Sequence, residues 1–358
     1  MRGLSALGFS PFFERQLQPS DGDAPILARI AAQHRNLYEV LTREGGAFAR
    51  LAGRLRQTLT DERLPCVGDW VILDSEPAPD HTPAIERVLV RRSAFTRGVA
   101  GRQSSAQAVA ANIELAFVVC GLDGDFNFHR IERFVARIWA SGAQPVVVLN
   151  KADVNETASV RAGEVGRRCA GVPVLATSAR LGEGVAALRA CIDEGETAVF
   201  VGSSGVGKSS LINALTGDDR MPTGEVRPGD DRGRHVTTHR QLILLPQGGL
   251  LLDTPGMREL QLVDDDGLDA VFGDVAALSA RCRFRNCRHD GEPGCAVEEA
   301  VRRGQIPVER LEHYRKLEQE AEASDQRRDA RLRRREGRRW GQLQREARCL
   351  RGLKGHFE

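Results

Sequence analysis

The chain has 358 residues, of which 41% are apolar and 28% charged, with a formal net charge of +2. This is globular composition, enough for two or three domains with cores of their own, and no stretch approaches the roughly 20 apolar residues of a membrane-spanning helix. The near-neutral total hides segregated charge: arginines crowd the segment from Arg327 through Arg339, and a localised basic tail suits a polyanionic partner better than a membrane.

The opening Met1-Arg2-Gly3-Leu4-Ser5-Ala6-Leu7 lacks a sustained apolar run and reads as mature protein rather than a signal peptide. Pro11, Pro19, Gly22 and Pro25 punctuate residues 1–34, which read as an ordered lead-in or a flexible arm. Across 35–97, short apolar runs at 37–41, 47–51 and 70–73 are set off by Gly45-Gly46 and Gly68-Asp69. Strands at this spacing predict a small β-barrel, OB-type or SH3-like. Residues 98–110, with the small, polar and basic Gly101-Arg102-Gln103-Ser104-Ser105, read as a linker.

From 111 to 272 the chain alternates apolar strands, at 115–120, 145–149, 172–176 and 198–201, with helical stretches. Residues 129–140 place Ile131, Phe134, Val135 and Ile138 on one helical face, and a second helix is expected over about 184–192. Continuous Val-rich runs between helices predict an α/β domain with a mostly parallel sheet covered on both sides. Residues 273–358 hold a Cys/His cluster and then Leu311, Tyr314 and Leu317 at helical spacing, helical to about Ala323. The Arg-rich remainder is either helix or disordered arm.

Gly202-Ser203-Ser204-Gly205-Val206-Gly207-Lys208-Ser209 fits the phosphate-loop pattern and stands between a strand and a helix that continues through Ser210. Its glycines let backbone N–H groups wrap phosphates, and the helix N-terminus adds its positive dipole end. Lys208 would supply a charge to the β- and γ-phosphates and Ser209 a hydroxyl to Mg²⁺. A plain Gly/Ser turn is the alternative, and the strand–loop–helix context disfavours it.

Asn150-Lys151-Ala152-Asp153 closes another strand. A carboxylate at Asp153 can accept from guanine N1–H and its 2-amino group, a donor pair that adenine lacks, and adenine would leave it unpaired. The stem of Lys151 would cover the base, and Thr177-Ser178-Ala179 would close over its edge. Residues 250–256 form an apolar strand ending in Asp253-Thr254-Pro255-Gly256. Asp253 should hold Mg²⁺ through water, and the Gly256 N–H should sense the γ-phosphate. Met257 stands where Ras-like GTPases have a water-orienting glutamine, so hydrolysis needs another group or a partner. In the polar loop at 228–238, His235 either orients the attacking water or meets a partner, and Thr237 or Thr238 completes the Mg²⁺ shell. The base-reading motif precedes the phosphate loop, the reverse of the Ras-like order, so the parts are those of a circularly permuted GTPase.

Cys282, Cys287, His289 and Cys295 form a C-x4-C-x-H-x5-C array suited to a closed tetrahedral zinc site, with free thiols or a disulfide as alternatives. Cys66, Cys120, Cys169, Cys191 and Cys349 are scattered, which suits a reducing cytosol. Phe284 and the arginines around the ligands are either an RNA-stacking surface or a solvated rim.

These features together resemble the ribosome small-subunit-dependent GTPase A family. The resemblance covers nearly the whole chain. It rests on Val67-Gly68-Asp69-Trp70-Val71, Ala111-Asn112-Ile113-Glu114, the permuted motif order, the stretch from Gly233 to Thr238, and the cysteines from Cys282 onward. It implies an OB-fold barrel, a circularly permuted P-loop GTPase domain and a C-terminal helical zinc-binding domain. It also implies late maturation of the small ribosomal subunit, with rRNA binding and GTP hydrolysis stimulated by that subunit. Lys208 and His235 would be catalytic, and Zn²⁺ and Mg²⁺ with GTP the cofactors. A cytoplasmic monomer with no membrane partner is expected. Val236 stands where the family usually has a first threonine, which leaves Thr237 or Thr238 as the Mg²⁺ ligand. Two other readings compete: an assembly protein with incidental hydrolysis, favoured by Met257, and a metal-dependent nucleic-acid binder with a vestigial nucleotide site. The intact Lys208, Ser209, Asp253 and Asp153 argue against the second.

Overall fold

The computed structural model describes residues 3–22, 24–34, 37–60, 63–98, 106–124, 126–217, 240–253, 268, 271–319 and 322. Five strands make the first unit: β1 (Ile26–Gln33), β2 (Tyr38–Leu41), β3 (Gly46–Leu51), β4 (Trp70–Leu73) and β5 (Ala84–Val88). They run in the order β1-β2-β3-β5-β4, and β4 pairs back onto β1 to close a barrel. β3 and β5 are parallel and the other pairs antiparallel. Ala28, Ile30, Val40, Val71, Leu73 and Ile85 fill the barrel.

β1 lies inside the stretch that the sequence reads as a lead-in. Six of its eight residues are buried in succession, so it lacks the alternation that betrays a half-exposed strand. The residues before it are packed rather than loose: Leu7 and Phe13 bury against Trp70 and Leu89. Past the barrel, β6 (Ala94–Gly98) and β7 (Ala106–Ala111) pair as an antiparallel ladder. The second half of the expected linker is thus strand; its small alanines pack without a strong apolar signature.

The second unit carries β8 (Leu115–Gly121), β9 (Gln144–Asn150), β10 (Val174–Ala176), β11 (Thr197–Val201), β12 (Gln241–Leu244) and β13 (Leu250–Asp253). Their spatial order is β10-β9-β8-β11-β13-β12, parallel except for β12. Phe128–Ala140 and Ala158–Arg168 cover one face, and Val185–Ala190 and Lys208–Thr216 the other. Burial on both sides is why β8, β9 and β11 are continuous apolar runs. β11, late in the chain, lies between β8 and β13, so the strand ends carrying the three nucleotide motifs share one edge of the sheet. β12 and the helix Ala158–Arg168 were not named from sequence.

β12 also pairs with β1, Ala32 opposite Gln241. Barrel and α/β unit therefore share one hydrogen-bonded sheet of eleven strands among the described residues. The buried Arg29 of β1 reinforces the junction. It donates to the carbonyls of Leu7, Gly68 and Asn112 and, at 2.7 Å, to Thr197 Oγ1 on β11. Beyond the sheet, the helices Gly273–Ser279, Ala296–Arg302 and 308–319 bury Val275, Val297, Leu311 and Leu317 in the same apolar cluster as Ile131, Val135 and Val165. The arginine-rich stretch from Arg327 and Cys349 lie outside the described residues.

Candidate functional site

The phosphate loop leaves β11 at Gly202 and enters its helix at Lys208. Gly202 has φ 144° and Gly207 φ 95°. A Cβ at Gly202 would collide with the Val119 carbonyl and one at Gly207 with the Asn150 amide, so both positions require glycine for space as well as for backbone angle. Lys208 Nζ donates to the carbonyls of Gly202 and Ser203, which holds its charge over the loop. Arg130, from the helix Phe128–Ala140, donates to Ser203 Oγ. Ser204 and Gly205 are exposed, Val206 is buried, and Ser209 and Ser210 are half-buried in the first helical turn.

Asn150 ties this loop to the neighbouring strand ends. Its Nδ2 donates to Val206 O at 2.8 Å, and its Oδ1 accepts from Thr177 Oγ1 and the Ala179 N–H, each at 3.1 Å. One buried amide thus holds together the residue sets 150–153, 177–179 and 202–209, which are far apart in the chain. Lys151 adopts φ 64° and pairs with Asp123 at 2.5 Å. The Ala152 N–H donates to Thr177 O at 3.0 Å.

Asp153 accepts from Ser178 Oγ at 2.6 Å and from Arg180 Nε and Nη2 at 3.0 and 2.6 Å. The Ser178 and Arg180 hydrogen bonds hold its carboxyl below the usual carboxylate range. This corrects one element of the sequence argument: adenine would not leave Asp153 unpaired, because the protein's own donors satisfy it. Arg180 was missed although it directly follows Ser178-Ala179. Asp253 ends β13 with 7% of its surface exposed, and burial pushes its carboxyl up to about 6. A carboxylate so placed gains from a nearby cation. His235, Val236, Thr237, Thr238, Gly256 and Met257 lie outside the described residues.

The second cluster is compact. The ligand atoms of Cys282, Cys287, His289 and Cys295 all lie within 4.8 Å of one another. The Cys282 and Cys295 sulfurs are 4.0 Å apart, far beyond a disulfide bond but close to the ~3.8 Å edge of a tetrahedron with ~2.3 Å Zn–S bonds. His289 Nδ1 lies 3.7 and 3.4 Å from those sulfurs, while Nε2 meets Ser279 Oγ at 2.9 Å. That outer bond orients the ring with Nδ1 inward, the usual second partner of a metal-bound imidazole. Burial lowers the His289 pKa, which favours the neutral form a metal needs. The donor set fits one structural zinc ion.

His129, Glu132 and His313 also come together, but Glu132 is paired with Arg310 at 2.9 Å, His313 at 2.8 Å and Arg168 at 3.5 Å. Two guanidiniums beside the carboxylate oppose a metal cation. The group instead clasps the helix Phe128–Ala140 to the helix 308–319.

The RsgA GTPase family model matches residues 88–263. The chain is 42% identical to the small ribosomal subunit biogenesis GTPase RsgA of Opitutus terrae, over 99% of this chain and all of that protein. It is 45% identical to the protein of that name from Xanthomonas axonopodis pv. citri, over 82% of this chain and 80% of that one. Among solved structures, YjeQ from Thermotoga maritima superposes with a TM-score of 0.62 at 28% identity, covering 82% of this chain and 97% of that one. YloQ, described as a circularly permuted GTPase, gives 0.61 at 25% identity, over 85% of this chain and 96% of its own. With permuted strands rebuilding one nucleotide-site edge and a full-length relative at this identity, the chain belongs to the RsgA GTPase family and is a GTP hydrolase.

Proposed function

We propose that this GTPase acts in late maturation of the small ribosomal subunit, binding its rRNA and hydrolysing GTP to GDP and phosphate when the subunit stimulates it. The observation that supports the nucleotide part of this reading is the Asn150 amide, which ties residues 150–153 to Thr177, Ala179 and Val206 at one edge of the sheet. In this reading Asn150, Lys151, Ala152, Asp153, Thr177, Ser178 and Ala179 hold the guanine. Residues 202–210 wrap the phosphates, with Lys208 bridging the β- and γ-groups. Ser209, Asp253 through water, and Thr237 or Thr238 complete the Mg²⁺ shell, and Gly256 senses the γ-phosphate. His235 orients the water that attacks the γ-phosphorus as GDP leaves, in place of the glutamine that Met257 replaces.

The cysteine cluster holds one structural Zn²⁺, and the barrel, closed in the order β1-β2-β3-β5-β4, is of the OB type, a fold that binds oligonucleotides. The names of the relatives supply the small-subunit partner. Among the described residues no helix is long and apolar enough to cross a membrane, and we place the protein in the cytoplasm as a monomer. GTP turnover measured with and without purified small subunits tests the proposal. Strong stimulation that disappears in His235→Ala is expected. Turnover indifferent to subunits, together with tight GTP-dependent docking, would instead favour an assembly factor whose hydrolysis is incidental.

A further inference from the structure

Asp153 is engaged on both oxygens. Ser178 Oγ takes one place on Oδ1, and Arg180 Nε and Nη2 both donate to Oδ2. A carboxylate offers about four lone-pair sites in all, two on each oxygen. Oδ2 is therefore filled, while Oδ1 keeps one place. Guanine brings two N–H donors to this carboxylate, so at least one Arg180 bond must open before the base can seat.

We propose that Arg180 lowers the guanine-nucleotide affinity of this site, because its guanidinium presents a pair of N–H donors like that of guanine and competes with the base for Asp153 Oδ2. The inference rests on Asp153 being the guanine acceptor. The two partners are placed unequally: the Arg180 side chain is 73% exposed and that of Asp153 only 6%. The guanidinium can therefore swing into water at little cost, whereas the carboxylate stays where it is. The turn stays in place as it does so, since the Leu181 N–H is fixed to Ser178 Oγ at 3.2 Å.

Guanine, with two suitably placed donors, recovers in its own bonds to Asp153 what opening the Arg180 contact costs, whereas adenine, lacking the pair, leaves Asp153 to Arg180. An ion pair with one partner in water shifts an equilibrium by no more than about fivefold. The contact is thus a light latch that weakens binding of guanine nucleotides by a modest factor. It keeps the acceptor paired between turnovers.

The test is titration of Mg²⁺-GDP and Mg²⁺-GTP into the full-length protein and Arg180→Ala, and into Asp153→Asn with and without Arg180→Ala. Arg180→Ala should bind GDP and GTP about two- to fivefold more tightly, by the same factor for both. The gap from wild type should narrow at high salt, where exposed charges are screened. On the Asp153→Asn background the gain should vanish, as coupled residues require. Unchanged or weaker GDP binding by Arg180→Ala, with Asp153→Asn still costing guanine affinity, would overturn the latch and leave the guanine site standing. Wild-type guanine affinity and preference in Asp153→Asn would overturn the acceptor assignment, and the latch with it.

Discussion

Two carboxylates carry the residue-scale arguments. With Asp153 as the proposed guanine acceptor, replacing it with Asn turns one acceptor into a donor, and a hydrogen bond to a charged group is worth ~1.5–3 kcal/mol. Asp153→Asn should therefore bind GTP roughly ten- to a hundredfold more weakly and discriminate less against ATP, as competition titrations will show; unaltered guanine preference would refute the assignment. Asp253 behaves in the opposite sense to a paired carboxylate. Its folded pKa, about 6, lies above the free value of 3.8 because of burial. Its contribution is thus fully present below 3.8 and lost as pH rises through about 6, by at most ~3 kcal/mol. In Mg²⁺-free buffer, wild type should lose melting temperature relative to Asp253→Asn as pH rises across that window. Parallel melting curves for the two proteins would contradict a desolvated carboxylate. At this scale the strand–loop–helix setting of residues 202–209 was legible, since a phosphate loop's demands are local in the chain. Arg180 escaped because its role depends on where the chain places Asp153, 27 residues earlier.

At the scale of elements, the Cys/His segment and the nucleotide edge use different contacts. The cluster's residues bury against one another and with the helices Gly273–Ser279 and Ala296–Arg302. The nucleotide motifs sit on the strand ends and are joined through Asn150. Chelation of the zinc proposed for this cluster should therefore reduce helical signal and raise proteolysis across 273–319, with GDP affinity changing by less than about twofold. A matching loss of GDP affinity would show that the two elements are not separable. The strands β8, β9 and β11 of the α/β unit were readable because each is a continuous apolar run next to a helix. β1 was not: it is equally apolar but stands among Pro and Gly residues, and only its pairing with β2 and β4 declares it a strand.

Across the whole molecule, two long-range knots hold the parts together. Arg29 meets acceptors from the lead-in (Leu7), the barrel (Gly68), Asn112 and β11, including Thr197, 168 positions away. Glu132 meets Arg310 across 178 positions. Removing Glu132 leaves the buried cations around it uncompensated, at ~3–5 kcal/mol, and removing Arg29 strands neutral buried acceptors, at ~1–3 kcal/mol for each that water cannot reach. Arg29→Ala should lower the melting temperature and split a single thermal transition into barrel and α/β components; calorimetry showing one unshifted transition would refute this coupling role.

From the sequence alone came the candidate chemistry: which residues are of the types that cradle phosphate, read a base, or ligate zinc, because each of these tasks imposes a short, local pattern of residue types. Three-dimensional packing alone decided how those pieces meet. The β1–β12 pairing that fuses the barrel to the α/β sheet, the Asn150 tie, and the Arg180 contact on Asp153 all join groups distant in the chain. Such contacts depend on loop closure and burial, and neither leaves a periodic trace in the order of residues.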